Sequence, residues 1–238
     1  MNENGKMRAL PDFDVYNQEF KYFPWGKLIE RVIGEIVINA PQKARVLDLM
    51  CGTGYLLNVL KNKRPDLILE GVDIDEIAIK KARDFYPSIN FFIGDVLEVK
   101  TENKYDVVVC TGGIHHLPYK KQPKLIEIAS KILFDSGFAI FAEPTIEDYI
   151  SKKTRKLGVL ELGYRYTKFA IEKEAPDEII RASLDILFND IFKYEFKTSI
   201  DKLLIRLQKN FNDIYTHLVW PSRVWWGDCY FICKQPYH

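Results

Sequence analysis

The feature that most constrains this chain is the segment Val46–Leu56, which reads VLDLMCGTGYL. An apolar run that contains one acid, Asp48, leads into two closely spaced glycines, Gly52 and Gly54, and a helical pattern follows. Glycine lets backbone N–H groups at the start of a helix come close to a ligand. The segment therefore predicts a strand that ends in a ligand-binding turn and continues into a helix.

Apolar runs and helical patterns alternate along the first part of the chain. The spacing i, i+3, i+4 predicts helices such as Pro24–Ala40 and Asp75–Phe85, and the second of these would bury Ile77, Ala78, Ala82 and Phe85. A turn at Asp135–Gly137 introduces the last of the predicted strands, which are 45–49, 67–73, 89–93, 105–110 and 138–142. Such alternation is typical of an α/β fold with a parallel sheet, helices on both faces and right-handed crossovers.

The alternation stops after Pro144. Residues 146–211 are mostly charged and compatible with helices, and they include a helix predicted over Asp201–Phe211 with Ser199 as its cap. Two further strands, Ile214–Trp220 and Trp225–Lys234, are predicted at the end of the chain. A helical insertion and a final strand pair therefore follow the alternating part.

Charge and cysteine content exclude several classes of protein. Lys and Arg number 34 against 33 Asp and Glu, so no net charge favours a nucleic acid or an anionic membrane as partner. Residues 1–14 lack the apolar core of a secretory signal, and no run of about 18 apolar residues predicts a membrane span. The four cysteines lie in apolar, strand-like segments without zinc-site spacing. These features predict a cytoplasmic protein without a metal.

Polar residues stand at the ends of three further predicted strands. Asp73 ends the second strand, 21 positions after Gly52, where a carboxylate can accept hydrogen bonds from a ribose. Asp95 follows the third strand and could accept from the amine of an adenine. The fourth strand leads into Thr111-Gly112 and a histidine pair. Ligands of open parallel sheets bind along this edge, so the chain is predicted to bind an adenosine cofactor there.

In these motifs the chain resembles the class I S-adenosylmethionine-dependent methyltransferases that act on small molecules. The resemblance covers about Ala44–Pro144, including Leu133–Ile140, and departs from the family at Met50, where a glycine usually stands. It implies a Rossmann-like, doubly wound sheet of seven strands whose last strand is antiparallel. It also implies a single domain with an N-terminal helical cap (1–40), a cofactor-binding core (44–144), a helical insertion (145–211) and two final strands (212–238).

The resemblance implies that S-adenosylmethionine is the cofactor and S-adenosylhomocysteine the product. Asp48 would organise the turn around the methionine amino group, Asp73 would bind the ribose, and Asp95 would meet the adenine amine. The residues implied to contact the cofactor are Asp48, Met50, Cys51, Gly52, Gly54, Asp73, Ile74, Gly94, Asp95, Val96, Thr111 and Gly112. Ile74 would pack on the adenine, and Thr111 and Gly112 would border the sulfonium.

The resemblance also places the methyl acceptor over the ends of strands four and five, under residues 12–25 and the insertion. His115 and His116 lie near the expected methyl position, and either imidazole is suited to act as a base near neutral pH. Tyr16, Tyr22 and Trp25 would form an aromatic lid over the acceptor. The predicted reaction is in-line transfer of a methyl group to O or N of a small molecule.

Two alternatives remain open from the sequence. An NAD-dependent oxidoreductase would share the parallel sheet and the ribose-binding acid, Asp73. However, the third glycine of the dinucleotide-binding motif would fall at Leu57, and the presence of Asp95 also counts against this alternative. A methyltransferase-like binding module without activity would keep Asp73 and Asp95. Thr111–Ile114 does not match the motif of enzymes that methylate amino groups of nucleic acid bases, so a nucleic acid substrate is disfavoured. The sequence leaves the oligomeric state undetermined.

Overall fold

A computed structural model of the chain describes residues 13–99, 104–191 and 195–237, and the side chains of all of these except 13–17 and 185–187. The strands in this part of the chain are β1 (Arg45–Leu49), β2 (Ile68–Asp73), β3 (Asn90–Ile93), β4 (Tyr105–Thr111), β5 (Leu133–Thr145), β6 (Phe211–Trp220) and β7 (Gly227–Pro236). The helices are α1 (Phe13–Tyr22), α2 (Trp25–Asn39), α3 (Tyr55–Lys63), α4 (Glu76–Phe85), α5 (Gln122–Lys131), α6 (Lys152–Glu172), α7 (Asp177–Ile191) and α8 (Ile200–Leu207), with a single 3-10 turn at Ile114–His116.

The seven strands form one sheet in the order β3-β2-β1-β4-β5-β7-β6. Strands β1 to β5 are parallel to one another, whereas β7 lies antiparallel between β5 and β6. Strands β2 and β3 lie on one side of β1, and β4 and β5 lie on its other side. The strand order therefore reverses between β1 and β4. This confirms the predicted α/β class with an antiparallel last strand, and it opens a crevice at the carboxyl ends of β1 and β4.

The sheet separates two apolar layers. Because successive side chains of a strand point to opposite faces, Val107 and Val109 pack into the layer under α2 and α3, while Val108 and Cys110 pack into the layer under α5 and α8. On the first side, α2 buries Leu28, Val32 and Ile36 as its spacing predicts. Helices on both faces leave the strand ends as the accessible part of the sheet.

Three local predictions are wrong. The turn expected at Asp135–Gly137 is an irregular part of β5, where the register with β4 shifts between Tyr105 and Val107. Helix α8 is capped by Ser199 as predicted, but it ends at Leu207, because the chain enters β6 at Phe211. Helix α4 buries Ala78 and Ala82 as predicted, but its third buried residue is Ile79 in place of Ile77 and Phe85.

Two residues of α4 that the sequence predicts to be buried are exposed. Ile77 and Phe85 are 71% and 58% exposed. The apolar stripe that packs against the sheet is therefore narrower than the sequence pattern suggests.

The insertion after β5 packs on the same end of the sheet as the cofactor turn. Helices α6 and α7 run antiparallel, since Arg155 contacts Asp190 and Thr167 contacts Ser183. Their inner faces join a third apolar cluster with Phe23 of the N-terminal part. Among the described residues, no helix combines the length and apolar character needed to cross a bilayer.

Candidate active site

The turn between β1 and α3 has the backbone of a ligand cradle. Met50, Gly52 and Gly54 all have positive φ angles, at 63°, 52° and 77°. Met50 therefore adopts the left-handed conformation that glycine adopts without steric cost, which explains why a glycine is usual at this position. A Cβ on Gly52 would meet no atom within 4 Å, so this side of the turn is open. Cys51 follows Met50, and both donate their N–H groups to the Val72 carbonyl.

Asp73 connects this turn to the end of β2. Its Oδ2 accepts from the Gly52 N–H at 2.8 Å, and its Oδ1 accepts from the Asp75 N–H at 2.9 Å. Burial raises the pKa of this carboxyl, although the backbone donors oppose the shift. Each carboxylate oxygen keeps a further lone pair, so a ribose hydroxyl can bind without breaking the turn.

Asp48 lies under the turn with an incomplete set of partners. It is 2% exposed, and its Oδ1 accepts no hydrogen bond within the described residues. Burial, and next the charge of Asp73, raise the pKa of this carboxyl well above its usual value. A positively charged ligand group near both acids would offset that shift. The open turn and the two acids thus fit a cofactor that carries a ribose and an amino group.

The end of β3 lies beside Asp73. The Gly94 N–H donates to the Asp73 carbonyl at 2.9 Å, and Asp95 Oδ1 accepts from the Leu97 N–H at 2.9 Å. Ile74 is half-buried at the end of β2, and Val96 is buried. The structure therefore brings the implied ribose and adenine residues together at neighbouring strand ends.

The end of β4 joins the cofactor turn to the expected acceptor position. Gly112 has a φ of 65°, and a Cβ added there would lie 2.8 Å from Trp25 Cζ2 and 3.8 Å from His115 Cε1. The Trp25 ring therefore packs against this glycine, and the His115 ring lies near it, next to Thr111. Tyr22 is half-buried and packs with Trp25 against the third apolar cluster. The side chain of Tyr16 lies outside the described residues.

His115 is held by Glu143, a residue at the end of β5 that the sequence analysis did not single out. The His115 Nδ1 lies 2.7 Å from Glu143 Oε2, and Glu143 Oε1 accepts from the Ile114 N–H at 2.7 Å. When the Nδ1–H group donates a hydrogen bond to the carboxylate, Nε2 is the ring nitrogen that can accept a proton. An acid at the end of a strand was the available signal, the same one that marks Asp73 and Asp95.

Glu195 and Lys197 complete a polar wall that the sequence did not reveal. The Lys197 ammonium contacts Glu195 Oε2, Asn189 donates to Glu195 Oε1 at 2.9 Å, and His115 Nε2 lies 4.0 Å from Glu195 Oε2. Burial opposes the ionisation of Glu195, but Lys197 and both histidines hold its pKa below the usual value. No periodic pattern in the segment around these residues predicts a site.

His116 stacks near His115, with ring centroids 4.2 Å apart. Desolvation, and next the electrostatic effect of the neighbouring His115, lower the pKa of His116. Donor atoms of His115, His116 and Glu195 lie within 4.8 Å of one another, as a metal site would require. A metal ion would have to displace the Lys197 ammonium from Glu195, and the prediction of no metal stays a prediction.

Asp228 connects the insertion to β7 on the other side of the site. The Tyr166 hydroxyl of α6 donates to Asp228 Oδ1, while Oδ2 has no partner in the described part of the chain. Asp228 is fully buried, and burial raises the pKa of its carboxyl to about 7, although the bond from Tyr166 opposes this shift. The insertion is thus anchored through a carboxyl that ionises with difficulty.

Together, the fold and the site define a protein that binds a nucleoside cofactor at the carboxyl ends of a parallel sheet. The family model described as "Methyltransferase domain" matches residues 46–137. The PH0226 protein from Pyrococcus horikoshii OT3 has a similar structure, with a TM-score of 0.62 and 19% identity over 90% of this chain and 91% of that one, a similarity in fold alone.

Similar sequences define the family. The carboxy-S-adenosyl-L-methionine synthase of Campylobacter curvus is 31% identical over 185 residues, which are 73% of this chain and 72% of that protein. The malonyl-[acyl-carrier protein] O-methyltransferase of Priestia megaterium is 29% identical over 128 residues, 50% of this chain and 45% of that one. The chain belongs to the class I S-adenosylmethionine-dependent methyltransferases, a family of enzymes, and its cofactor is S-adenosylmethionine. This agrees with the predicted family and sets the NAD-dependent alternative aside.

Proposed function

We propose that this enzyme methylates a nitrogen or oxygen of a small molecule bound between Trp25 and the His115–Glu143 pair. The observation that carries the proposal is that an indole packs against Gly112, at the end of β4, and an imidazole lies near the same glycine. An aromatic face on one side and a hydrogen-bonded imidazole on the other can hold and orient a small acceptor. Tyr22 would extend the apolar side, and we place Tyr16 there as well.

The cofactor would be held by the residues at the ends of β1 to β4. Asp48 would face its amino group, Asp73 its ribose and Asp95 its adenine, with the backbone of residues 50–54 and 94–96 as the cradle and Ile74 against the adenine. When bound, S-adenosylmethionine supplies an activated methyl group. The protein therefore has to align the acceptor, exclude water and set the charge of the nucleophile.

In this proposal, His115 removes the proton from the acceptor atom that is methylated. Glu143 would accept from its Nδ1, leave its Nε2 as the nitrogen that takes up the proton, and stabilise the positive charge that develops on the ring. His116 would contribute as a neutral neighbour. The Glu195–Lys197 pair would form the polar end of the acceptor pocket, because its charges face the two histidines.

We further propose a cytoplasmic enzyme with a metabolite as acceptor. The four cysteines are free thiols in the structure, and the pKa values of the Cys110 and Cys229 thiols are raised by burial, which suits a reducing compartment. The balanced charge of the chain provides no general phosphate-binding surface. Both features support a small acceptor over a nucleic acid.

The experiment that tests the proposal follows the methyl group. The enzyme is incubated with cofactor carrying a deuterated methyl group and a cytoplasmic metabolite extract, and products are found by mass spectrometry. We expect a labelled acceptor together with S-adenosylhomocysteine. The variant His115→Gln should turn over about 10²- to 10⁴-fold more slowly with unchanged cofactor affinity. The matched variant His217→Gln, at an exposed position of β6, should behave as wild type. Equal rates in both variants would remove His115 from the mechanism.

A second candidate function rests on the similarity to a carboxy-S-adenosyl-L-methionine synthase over most of both chains. Such an enzyme would modify the cofactor itself and leave no methylated acceptor. The same incubation distinguishes the two functions, because methyl transfer produces S-adenosylhomocysteine and a labelled acceptor, whereas the synthase produces a carboxylated cofactor. The mass of the carboxylated cofactor differs from that of S-adenosylhomocysteine. Accumulation of the carboxylated cofactor without any labelled acceptor would contradict methyl transfer and establish the synthase activity.

A further inference from the structure

Met50 has a backbone conformation that residues with a side chain rarely adopt. It follows β1 with a φ of 63°, in the left-handed region where a Cβ comes close to the following carbonyl oxygen. The turn holds this conformation, because the N–H groups of Met50 and Cys51 both donate to the Val72 carbonyl, at 2.8 and 3.1 Å. A strained residue that persists beside a ligand site indicates that its side chain has a use there.

The Met50 side chain reaches from the cofactor turn to the end of β4. A Cβ added to Gly113 would lie 2.9 Å from Met50 Sδ and 3.2 Å from Met50 Cβ, so the side chain packs directly on this glycine. Gly113 comes immediately before the 3-10 turn Ile114–His116, the histidine turn. Met50 is half-buried and also contacts the apolar layer under α5 and α8, which includes Ile114. Its backbone therefore belongs to the cofactor turn and its side chain to the surroundings of the histidines.

The histidine turn is held between two strands. In the sheet, β4 lies between β1 and β5, and the histidine turn follows β4. From the end of β5, Glu143 accepts from the Ile114 N–H and contacts His115 Nδ1, both at 2.7 Å. From the end of β1, the Met50 side chain packs on Gly113. Removal of that side chain would therefore leave the turn without its support on the β1 side.

The residues at positions 50 and 113 are complementary in size. A methyl group on Gly113 would overlap Met50 Sδ, and it would also lie 2.5 Å from Cys110 Sγ. The absence of a side chain at position 113 thus provides the space that the thioether fills. An unbranched thioether suits such a contact because it adapts to an irregular gap.

We propose that Met50 is a positioning residue that sets the histidine turn at a fixed distance from the cofactor turn. Met50 and Gly113 act as a spacer between the ends of β1 and β4, while Glu143 holds the turn from β5. The consequence for catalysis rests on the role proposed above for His115, because an imidazole displaced by about 1 Å can slow a reaction about 100-fold. The spacer itself does not depend on that role.

The test compares Met50→Gly with Met50→Leu in the full-length enzyme with S-adenosylhomocysteine bound. NMR follows amide hydrogen exchange at Ile114, whose N–H bonds to Glu143, and at Gly52, whose N–H bonds to Asp73. Met50→Gly relieves the strain but removes the spacer, so exchange should become about tenfold faster at Ile114 and change less than about threefold at Gly52. Met50→Leu keeps an apolar side chain of similar volume and should leave both rates within about threefold of the wild type.

Lys43→Gly is the matched control for the relief of strain. Lys43 also has a positive φ, at 58°, but it is exposed and lies before β1. Both exchange rates should stay at their wild-type values in this variant. An unchanged rate at Ile114 in Met50→Gly, an equal acceleration at Ile114 and Gly52, or an equal effect of Met50→Leu would each overturn the proposal.

The rate of methyl transfer separates the spacer from the role of His115. With the acceptor found by isotope labelling, Met50→Gly should lower kcat about tenfold or more at an unchanged KM for the cofactor, and Met50→Leu should restore it. Faster exchange at Ile114 without slower methyl transfer would support the spacer and count against His115 as the base.

Discussion

The two halves of the site are built differently. In the cofactor half, which comprises the ends of β1 to β3, the acids bond to nearby backbone: Asp73 and Gly52 are 21 residues apart, and Asp95 and Leu97 only two. In the acceptor half, which comprises the ends of β4 and β5, residues 195–199 and the insertion, the Gln122 side chain bonds to the Phe196 carbonyl 74 residues away. Local contacts produce a recognisable sequence motif, whereas distant contacts do not.

The largest effect that we expect is a loss of stability in the acceptor half. Lys197→Met leaves the buried Glu195 carboxylate without its ammonium partner, which costs about 3–5 kcal/mol of unfolding free energy. The double variant Glu195→Gln/Lys197→Met should recover most of that loss. Urea denaturation measures both variants. Lys131→Met, which breaks the exposed pair with Glu127, serves as the control and should change stability by less than about 1 kcal/mol.

The next effect concerns the cofactor half and tests whether the halves are separable. Asp73→Asn removes the charge that would bind the ribose and weakens the bond to the Gly52 N–H, so S-adenosylhomocysteine should bind about 100-fold more weakly. Calorimetric titration gives the affinity, with Asp84→Asn at an exposed position of α4 as the control. At a temperature where the Lys197→Met variant is folded, its affinity for S-adenosylhomocysteine should equal that of the wild type. A comparable loss in Lys197→Met would show that the halves are coupled.

A smaller effect depends on pH and comes from Asp228 in the acceptor half. Its folded pKa of about 7 lies above the usual 3.8, so its contribution to stability is full below pH 4 and is lost as the pH rises through about 7. Asp228→Asn keeps an acceptor for Tyr166 and does not ionise. Between pH 5 and 8 the wild type should therefore lose about 2 kcal/mol relative to this variant. Parallel pH dependences of the two proteins in thermal unfolding would contradict the raised pKa.

The smallest effect is expected where the halves meet, at Gly112. Gly112→Ala places a Cβ against Trp25 in a left-handed backbone conformation and should cost about 1 kcal/mol of stability. Moving the indole should also raise the KM for the acceptor. The double variant Gly112→Ala/Trp25→Leu should relieve the contact but leave the backbone cost. If the effects of Gly112→Ala and Trp25→Leu on the KM for the acceptor are simply additive in the double variant, Trp25 and Gly112 do not belong to one acceptor site.

The contrast between the halves explains what the sequence could predict. Strand β1 has the predicted bounds with Asp48 inside it, and Asp73 and Asp95 lie at or just after predicted strand ends, because periodicity and turn chemistry act over a few residues. The local pattern at Asp135–Gly137 marks a break before Phe138, but its place inside β5 depends on the register with β4, which the sequence does not report. The sequence predicts Phe211 at the end of a helix, whereas it begins β6, because its apolar side chain suits either element equally well.

The residues that the sequence did not reveal share a physical cause. Glu195 and Lys197 are buried because they neutralise each other beside His115, and that pairing depends on the path of the chain through the insertion. Glu143 could have been found from its place at a strand end, but its partner His115 is 28 residues away. A motif identifies the site residues at the ends of β1 to β3, whereas the partners of His115 are found only once the fold is known.

The hydrogen bond from the Phe196 N–H to the His115 carbonyl, 2.6 Å long, bears on how the enzyme matures. A ribosome adds about 5–20 residues per second, and segments that have emerged can begin to fold. The turn of residues 50–54 and its partner Asp73 emerge early and together. About 80 further residues are synthesised before Phe196 can reach the His115 carbonyl, so the polar wall beside the histidines is completed seconds after the residues of the cofactor turn have been made.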